Sequence, residues 1–177
     1  MNIVVCIKQV PDTTEIKIDP VTNTLIRAGV PSIVNPFDAY ALEIAARIKD
    51  VTPETKIILL SMGPKQAEAA LKECLAVGGD KAYLVSDRAF GGADTLATSY
   101  ILSRAIAAVE AKTGEKFDLI FCRNVMIYFD RPTKAALVRR FYDATAPGGY
   151  LFIGHSESLD KESCPFSYIE PAIYRKI

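Results

Sequence analysis

A chain of 177 residues is somewhat longer than a typical single domain, which favours one domain with a sizeable core and leaves little room for a second. Half of the residues are apolar and 21 basic residues balance 21 acidic ones, which excludes both the disorder signature and the electrostatic footprint of a nucleic-acid binder. The start MNIVVCIKQV lacks the basic opening and long apolar core of a signal peptide, and no apolar run approaches the ~20 residues of a membrane helix, so a cytoplasmic location is expected.

Taken in chain order, short β-rich apolar runs alternate with helical patterns, the signature of βαβ units around a mostly parallel sheet. Ile3 to Ile7 reads as the first strand. TEIKIDP and TLIRA, separated by Val21-Thr22-Asn23, read as a small hairpin inserted before the first helix. That helix is expected from Asn35-Pro36 to about Lys49, because Ala39, Leu42, Ala45, Ala46 and Ile48 fall at helical spacing. Lys56 to Ser61 is the second strand, and a helix from Pro64 to Val77 stops at Gly78-Gly79. Ala82 to Val85 is the third strand. Asp94 is a candidate N-cap for a helix through about Ala111, and Asp118 to Cys122 is the fourth strand. Pro132 sits near the start of a helix ending near Pro147-Gly148-Gly149, followed by a fifth strand from Tyr150 to Ile153. Ser167 to Glu170 and Ala172 to Arg175, separated by Pro171, close the chain as an antiparallel pair.

Cys6, Cys74, Cys122 and Cys164 are scattered, with no CxxC pair and no neighbouring histidine, so neither a metal site nor a disulfide framework is expected. The only histidine lies in Gly154-His155-Ser156-Glu157. Adjacent residues on one loop rarely supply nucleophile, base and orienter together, so no catalytic residue is assigned there. Gly91-Gly92 is not followed by GK[ST] and reads as a helix-entry loop rather than a phosphate loop.

The stretches NIVVCIKQVPDTTEIKID, SIVNPFDAYALEIAARIKD and LLSMGPKQAEAALKECLAVGGDKAYLVSDRAFGGADTLATSYILSRAI resemble the electron-transfer flavoprotein beta subunit. From about Phe117, FDLIFCRNVMIYFDRPTKAALVRRFYDATAPGGYLFIGHSESL and the closing FSYIEPAIYRK resemble the C-terminal half of the catalytic domain of the chemotaxis receptor glutamate methyltransferase. The two resemblances imply a chimera within one domain, with a flavoprotein-like half over 1–116 and a methyltransferase-like half over 117–177. The seam is expected within residues 111–122, because both families carry a strand that can read FDLIFC. Deliberate engineering between superposable sheets is the more economical account, since cutting two proteins in mid-domain would ordinarily prevent folding.

The expected fold is α/β, a three-layer α/β/α Rossmann-like sandwich with parallel strands in order 3-2-1-4-5, an antiparallel edge pair beside strand five and the hairpin insert after strand one. Ligands of such sheets bind at the carboxyl ends of the strands where the order reverses, here between strands one and four. The resemblance to the flavoprotein family places Cys6, Asn35, Pro36, Phe37, Asp38 and Met62 along an AMP site; the residues by themselves also allow Asn35 and Asp38 to be helix caps and Cys6 and Met62 to be core. The resemblance to the methyltransferase family places Arg123 and Asn124 near S-adenosylmethionine, although Lys8-Gln9-Val10-Pro11-Asp12 supplies no glycine-rich turn after the first strand. The expectation is therefore a scaffold that is not an enzyme, without native methylation or electron transfer, and with no cofactor required. Residual AMP or FAD binding is the first alternative, and S-adenosylmethionine binding or weak methyl transfer the second. No nucleic-acid, membrane or other partner is expected beyond a homodimer through exposed former interfaces.

Overall fold

The computed structural model describes residues 1–12, 31–114, 116–122, 126–160 and 163–177. In chain order these form β1 (Asn2–Cys6), β2 (Gln9–Pro11), β3 (Ser32–Val34), α1 (Pro36–Val51), β4 (Lys56–Met62), α2 (Glu68–Val77), β5 (Lys81–Val85), α3 (Thr95–Thr113), β6 (Phe117–Cys122), α4 (Arg131–Ala144), β7 (Thr145–Ile153), β8 (Ser167–Glu170) and β9 (Ile173–Arg175). Short 3₁₀ turns at Lys65–Ala67, Arg88–Phe90 and Met126–Tyr128 link several of them.

The main sheet has the order β5-β4-β1-β6-β7-β9-β8, parallel from β5 to β7, with β9 antiparallel to both β7 and β8. This is the expected 3-2-1-4-5 arrangement with its antiparallel edge pair. β2 and β3 pair antiparallel as a separate ribbon between β1 and α1. The strands expected inside that insert, on either side of Val21-Thr22-Asn23, lie outside the described residues.

Helix ends follow local chemistry. Asn35 caps α1 by accepting the Phe37 amide at 3.3 Å, with Pro36 at the first helical position. Asp94 Oδ1 accepts the Ala97 amide at 2.8 Å and Asp130 Oδ1 the Thr133 amide at 2.9 Å, starting α3 and α4. Gly114, at φ 72°, closes α3 in the left-handed conformation.

Alternation along the strands divides the core into two faces. Ile3, Val5, Ile57, Leu59, Leu119 and Phe121 lie beneath Ala41, Leu42 and Ala45 of α1 and Leu71 and Cys74 of α2. On the other face, Val4, Ile58, Leu60, Ile120, Leu151 and Ile153 lie beneath Leu102, Ile106 and Val109 of α3 and Leu137, Val138 and Phe141 of α4. Each fully buried aliphatic side chain contributes about 1.5–3 kcal/mol relative to exposure, so both faces of β1, β4 and β6 are strongly specified.

The seam between the two halves carries regular pairing. β1 and β6 run in parallel register from Ile3 opposite Leu119 to Val5 opposite Phe121, and the Asn2 amide donates to Asp118 Oδ2 at 2.7 Å. Irregular pairing occurs between β8 and β9 at Tyr168–Glu170, and at the start of β7, where the register with β6 jumps from Phe117–Thr145 to Leu119–Tyr150. Pro147-Gly148-Gly149, expected to stop α4, lies instead within this bulged strand, and α4 ends at Ala144. A Cβ on Gly149 would meet the Asp118 carbonyl oxygen at 2.8 Å, so glycine is what lets the two backbones approach.

Candidate functional site

The strand order reverses between β1 and β6, because α1 returns the chain to β4 on one side while α4 carries it to β7 on the other. The carboxyl ends of β1, β4 and β6 meet there, the place where doubly wound sheets bind their ligands. Cys6 ends β1, Met62 ends β4 and Cys122 ends β6, and the N-terminus of α1 stands behind β1.

Backbone ties hold the first wall. The Asn35 amide donates to the Lys8 carbonyl at 2.9 Å, and the Lys8 amide donates to Asp38 Oδ2 at 2.8 Å. The buried Asp38 carboxylate therefore clamps the turn after β1 to the first turn of α1. Asn35 caps the helix through Oδ1, Pro36 opens it, and Phe37 is half exposed beside them. Nearby, the Gln9 Nε2 donates to the Gln66 carbonyl at 3.3 Å, while the buried Gln9 Oε1 accepts no hydrogen bond among the described residues.

The second wall is built around Glu157. Its buried carboxylate accepts the Met126 amide through Oε1 and the Gly154 amide through Oε2, both at 2.6 Å, and so joins the segment leaving β6 to the segment leaving β7. The adjacent His155 is exposed, and Glu157 is turned to backbone amides, so the GHSES loop is shaped by its glutamate. Arg123 and Asn124 lie outside the described residues.

Cys6 and Cys122 end the neighbouring strands β1 and β6. A hydrogen bond from Cys6, complete burial, and the carboxylates of Glu157 and Asp38 push the Cys122 thiol well above its ordinary range, so Cys122 stays protonated at neutral pH. All four cysteines are free thiols. Among the described residues, no group of three or more His, Cys, Asp and Glu is arranged to hold a metal ion.

The structure thus sets Cys6 and Met62 at the carboxyl ends of neighbouring strands and uses Asn35, Pro36 and Asp38 to start α1 and tie it to the turn after β1, with Phe37 half exposed beside them. Sequence reasoning missed Glu157 as the brace between the two exits, because its partners Met126 and Gly154 are identified only once β6 and β7 are known to be neighbours. The one carboxylate in the run Gly154-His155-Ser156-Glu157-Ser158 was the available signal.

As a test of fit, the turn after β1 has no glycine and its amide at Lys8 is already used, so it offers no backbone cradle for a phosphate or a methionine moiety. Asp38 and Glu157 also make the floor acidic. Two clefts lie elsewhere: one of about 500 Å³ between α4 and residues 158–164, the other of about 470 Å³ at the amino ends of β4 and β5, lined by Lys56, Lys81, Lys112 and Tyr83. Among the described residues, no helix is long and apolar enough to cross a membrane.

Residues 22–127 match the electron transfer flavoprotein domain, and residues 89–174 match the CheR methyltransferase, SAM binding domain. The two matches overlap through α3 and β6, around the expected seam. The electron transfer flavoprotein subunit beta of Megasphaera elsdenii is 60% identical over 123 residues, covering 69% of this chain and 46% of that protein. The caffeyl-CoA reductase-Etf complex subunit CarD of Acetobacterium woodii is also 60% identical, over 120 residues, covering 68% of this chain and 44% of that protein. The chain therefore spans less than half the length of the curated relatives it matches.

The match over residues 89–174 overturns the expectation that the chain is not an enzyme. That expectation gave decisive weight to the missing glycine-rich turn after β1 and too little to the methyltransferase sequence retained from β6 onward. Methyltransferase sequence therefore contributes β6, β7 and their connecting segments to a sheet begun by another family. Because the electron transfer flavoprotein domain matches residues 22–127, more than half of the chain, the chain belongs to that family.

Proposed function

We propose that this chain is a deliberately joined flavoprotein–methyltransferase hybrid whose crevice takes an adenosine-bearing small molecule, with AMP as the first candidate. The observation that carries this reading is the continuous β4–β1–β6 register, which sets Cys6, Met62 and the capped N-terminus of α1 around one opening. Asn35 presents a carboxamide and Asp38 a carboxylate there, groups suited to an adenine edge and to sugar hydroxyls. Binding is weak in this reading, on the order of millimolar, because Arg123-Asn124-Val125-Met126 follows the fourth parallel strand in place of the glycine-containing loop that grips the nucleotide in the flavoprotein family. A cytoplasmic location belongs to the same reading. So does self-association, for which the exposed Phe37, Tyr40, Ile44 and Val51 of α1 offer an apolar stripe.

S-adenosylmethionine is the second reading, favoured by the match of residues 89–174 and by the acidic floor, which suits a sulfonium better than a phosphate.

Calorimetric titration with AMP and, separately, with S-adenosylmethionine tests both. Asn35→Ser keeps a good helix cap while removing the carboxamide. Loss of the AMP heat in Asn35→Ser, with the helix content unchanged, is the expected result. Equal AMP heats from the two proteins, or none from either, would refute the AMP reading, and heat from S-adenosylmethionine alone would establish the second.

A further inference from the structure

We propose that the exposed flank of α1 and the open face of β6, β7 and β9 form one self-pairing surface, whose partner is a second copy of this chain related by a two-fold axis parallel to α1. The inference rests on the self-association included in the proposed function, names its surface and geometry, and is independent of adenosine binding.

The flank is a helix-pairing seam. Phe37, Ile44 and Val51 recur at seven-residue spacing, with Tyr40 three residues after the first. That is the a and d spacing by which two parallel helices pair. All four side chains are exposed, from 42% at Ile44 to 82% at Val51. Asp38, Ala41, Leu42 and Ala45 already supply the buried side of α1, so the seam is a second stripe on the same helix.

The seam points to where the sheet is open. A Cβ on Gly78 would stand 3.2 Å from the Ala46 Cβ, so Ala46 faces the end of α2, which packs on β4 and β5. Ile44 lies two residues away, about 200° around the helix axis, so the seam looks away from α2 and toward β6 and β7. On this side Tyr150 and Phe152 of β7 are only half-buried, and Ile173 of β9, paired with Phe152, shares their face. From β6 to β9 is about 10 Å at ordinary strand spacing, the width of one helix.

The seam and the open face lie side by side, and this identifies the occupant. A two-fold axis between them, one helix layer above the sheet, sets two α1 helices parallel through Phe37, Tyr40, Ile44 and Val51. The same operation lays each α1 over the other copy's β6, β7 and β9, so each copy supplies the helix that the other's sheet lacks. Arg47 takes the second d position, where it is neutralised by its ion pair with Glu43 at 2.7 Å but weakens the seam. With only two heptads, the contact is small and self-association is weak, on the order of 10 μM, which leaves the dilute chain monomeric.

Sedimentation of the full chain from about 1 to about 500 μM tests the proposal. A monomer–dimer equilibrium is expected, weakened on the order of tenfold or more by Ile44→Glu with unchanged far-ultraviolet circular dichroism. Under mild oxidation Ile44→Cys and Val51→Cys should each give a covalent dimer, because both lie beside the axis. Ala39→Cys, seven residues before Ala46 and on its side of the helix, should not, and nor should the unsubstituted chain with its four free cysteines. Maleimide labelling of Ile173→Cys should slow as the dimer forms and regain its monomer rate when Ile44→Glu is added. A chain still monomeric at the highest concentration would overturn both this proposal and self-association itself. A dimer whose affinity survives Ile44→Glu, or labelling of Ile173→Cys that ignores dimer formation, would overturn the surface alone and leave self-association standing.

Discussion

The two halves of the sheet are covered differently. In the flavoprotein-like half, β1 and β4 are enclosed on both faces, by α1 and α2 on one side and by α3 on the other. In the methyltransferase-like half, Leu151, Ile153 and Tyr174 are buried against α4 and its neighbours, but Tyr150, Phe152 and Ile173 on the opposite face stay half-buried. The helices on that face, α1 and α2, pack against β1, β4 and β5. Arg175 partly substitutes, its guanidinium 5.3 Å from the Tyr150 ring centre, and Phe121 and Phe152 stack across the strands at 5.0 Å. A shared sheet can therefore be continued from one family into another more readily than its helical layers, because strand pairing needs only register whereas a layer needs the segments that supply it.

The largest effect should come from removing bulk on the covered face. Phe141 on α4 is fully buried, so Phe141→Ala should cost about 3–5 kcal/mol in denaturant unfolding, whereas Phe152→Ala on the thinly covered face should cost well under half as much. Equal losses would mean that the two faces are equally closed.

Next in size is the brace at the crevice. Glu157→Gln replaces one acceptor oxygen with a donor facing either the Met126 or the Gly154 amide, and should cost about 2 kcal/mol. Amide exchange should accelerate at both positions, since the same side chain holds both. Acceleration at one only would break the claim that Glu157 joins the two exits.

The smallest effect should fall on the flavoprotein-like half, at Asp80. Burial by itself raises its pKa, but hydrogen bonds and charge from the Lys49 ammonium together with the Ile57 amide, which donates at 2.7 Å, hold it below the ordinary carboxylate range. A depressed folded-state pKa contributes stability above the unfolded value of about 3.9 and loses it as pH falls through the folded value. Because Asp80 is largely exposed, Asp80→Asn should cost only about 0.5 kcal/mol at pH 7 in urea unfolding, and the gap to the parent should close below about pH 4. A gap that does not narrow at all as pH falls below about 3.9 would assign the cost to the lost Ile57 bond instead.

Much of this architecture was legible in the sequence because each strand is a short apolar run and each helix carries its own start signal, as at Asn35-Pro36, Asp94 and Asp130-Arg131-Pro132. The strand order followed from the resemblance of each half to a known sheet. What local patterns could not show were contacts closed by distant partners: Asp118 with Asn2, Glu157 with Met126, and the early start of β7. Pro147-Gly148-Gly149 reads locally as a helix stop, whereas in the strand Gly148 takes a positive φ of 80° and Gly149 lets the Asp118 carbonyl approach. Of the candidate site, Asn35 and Asp38 were legible as residues at a helix start, but the direction of Asp38 toward the Lys8 amide depends on how the turn after β1 packs on α1.

The account rests on one claim above the others, that β1 and β6 pair as neighbours and make a single sheet from the two halves. Native-state hydrogen exchange of the amides in Ile3–Val5 and Leu119–Phe121 tests it directly. The account predicts that both segments exchange only through global unfolding, with the same opening free energy and the same denaturant dependence. Protection confined to one segment, or two opening free energies with different denaturant slopes, would contradict it.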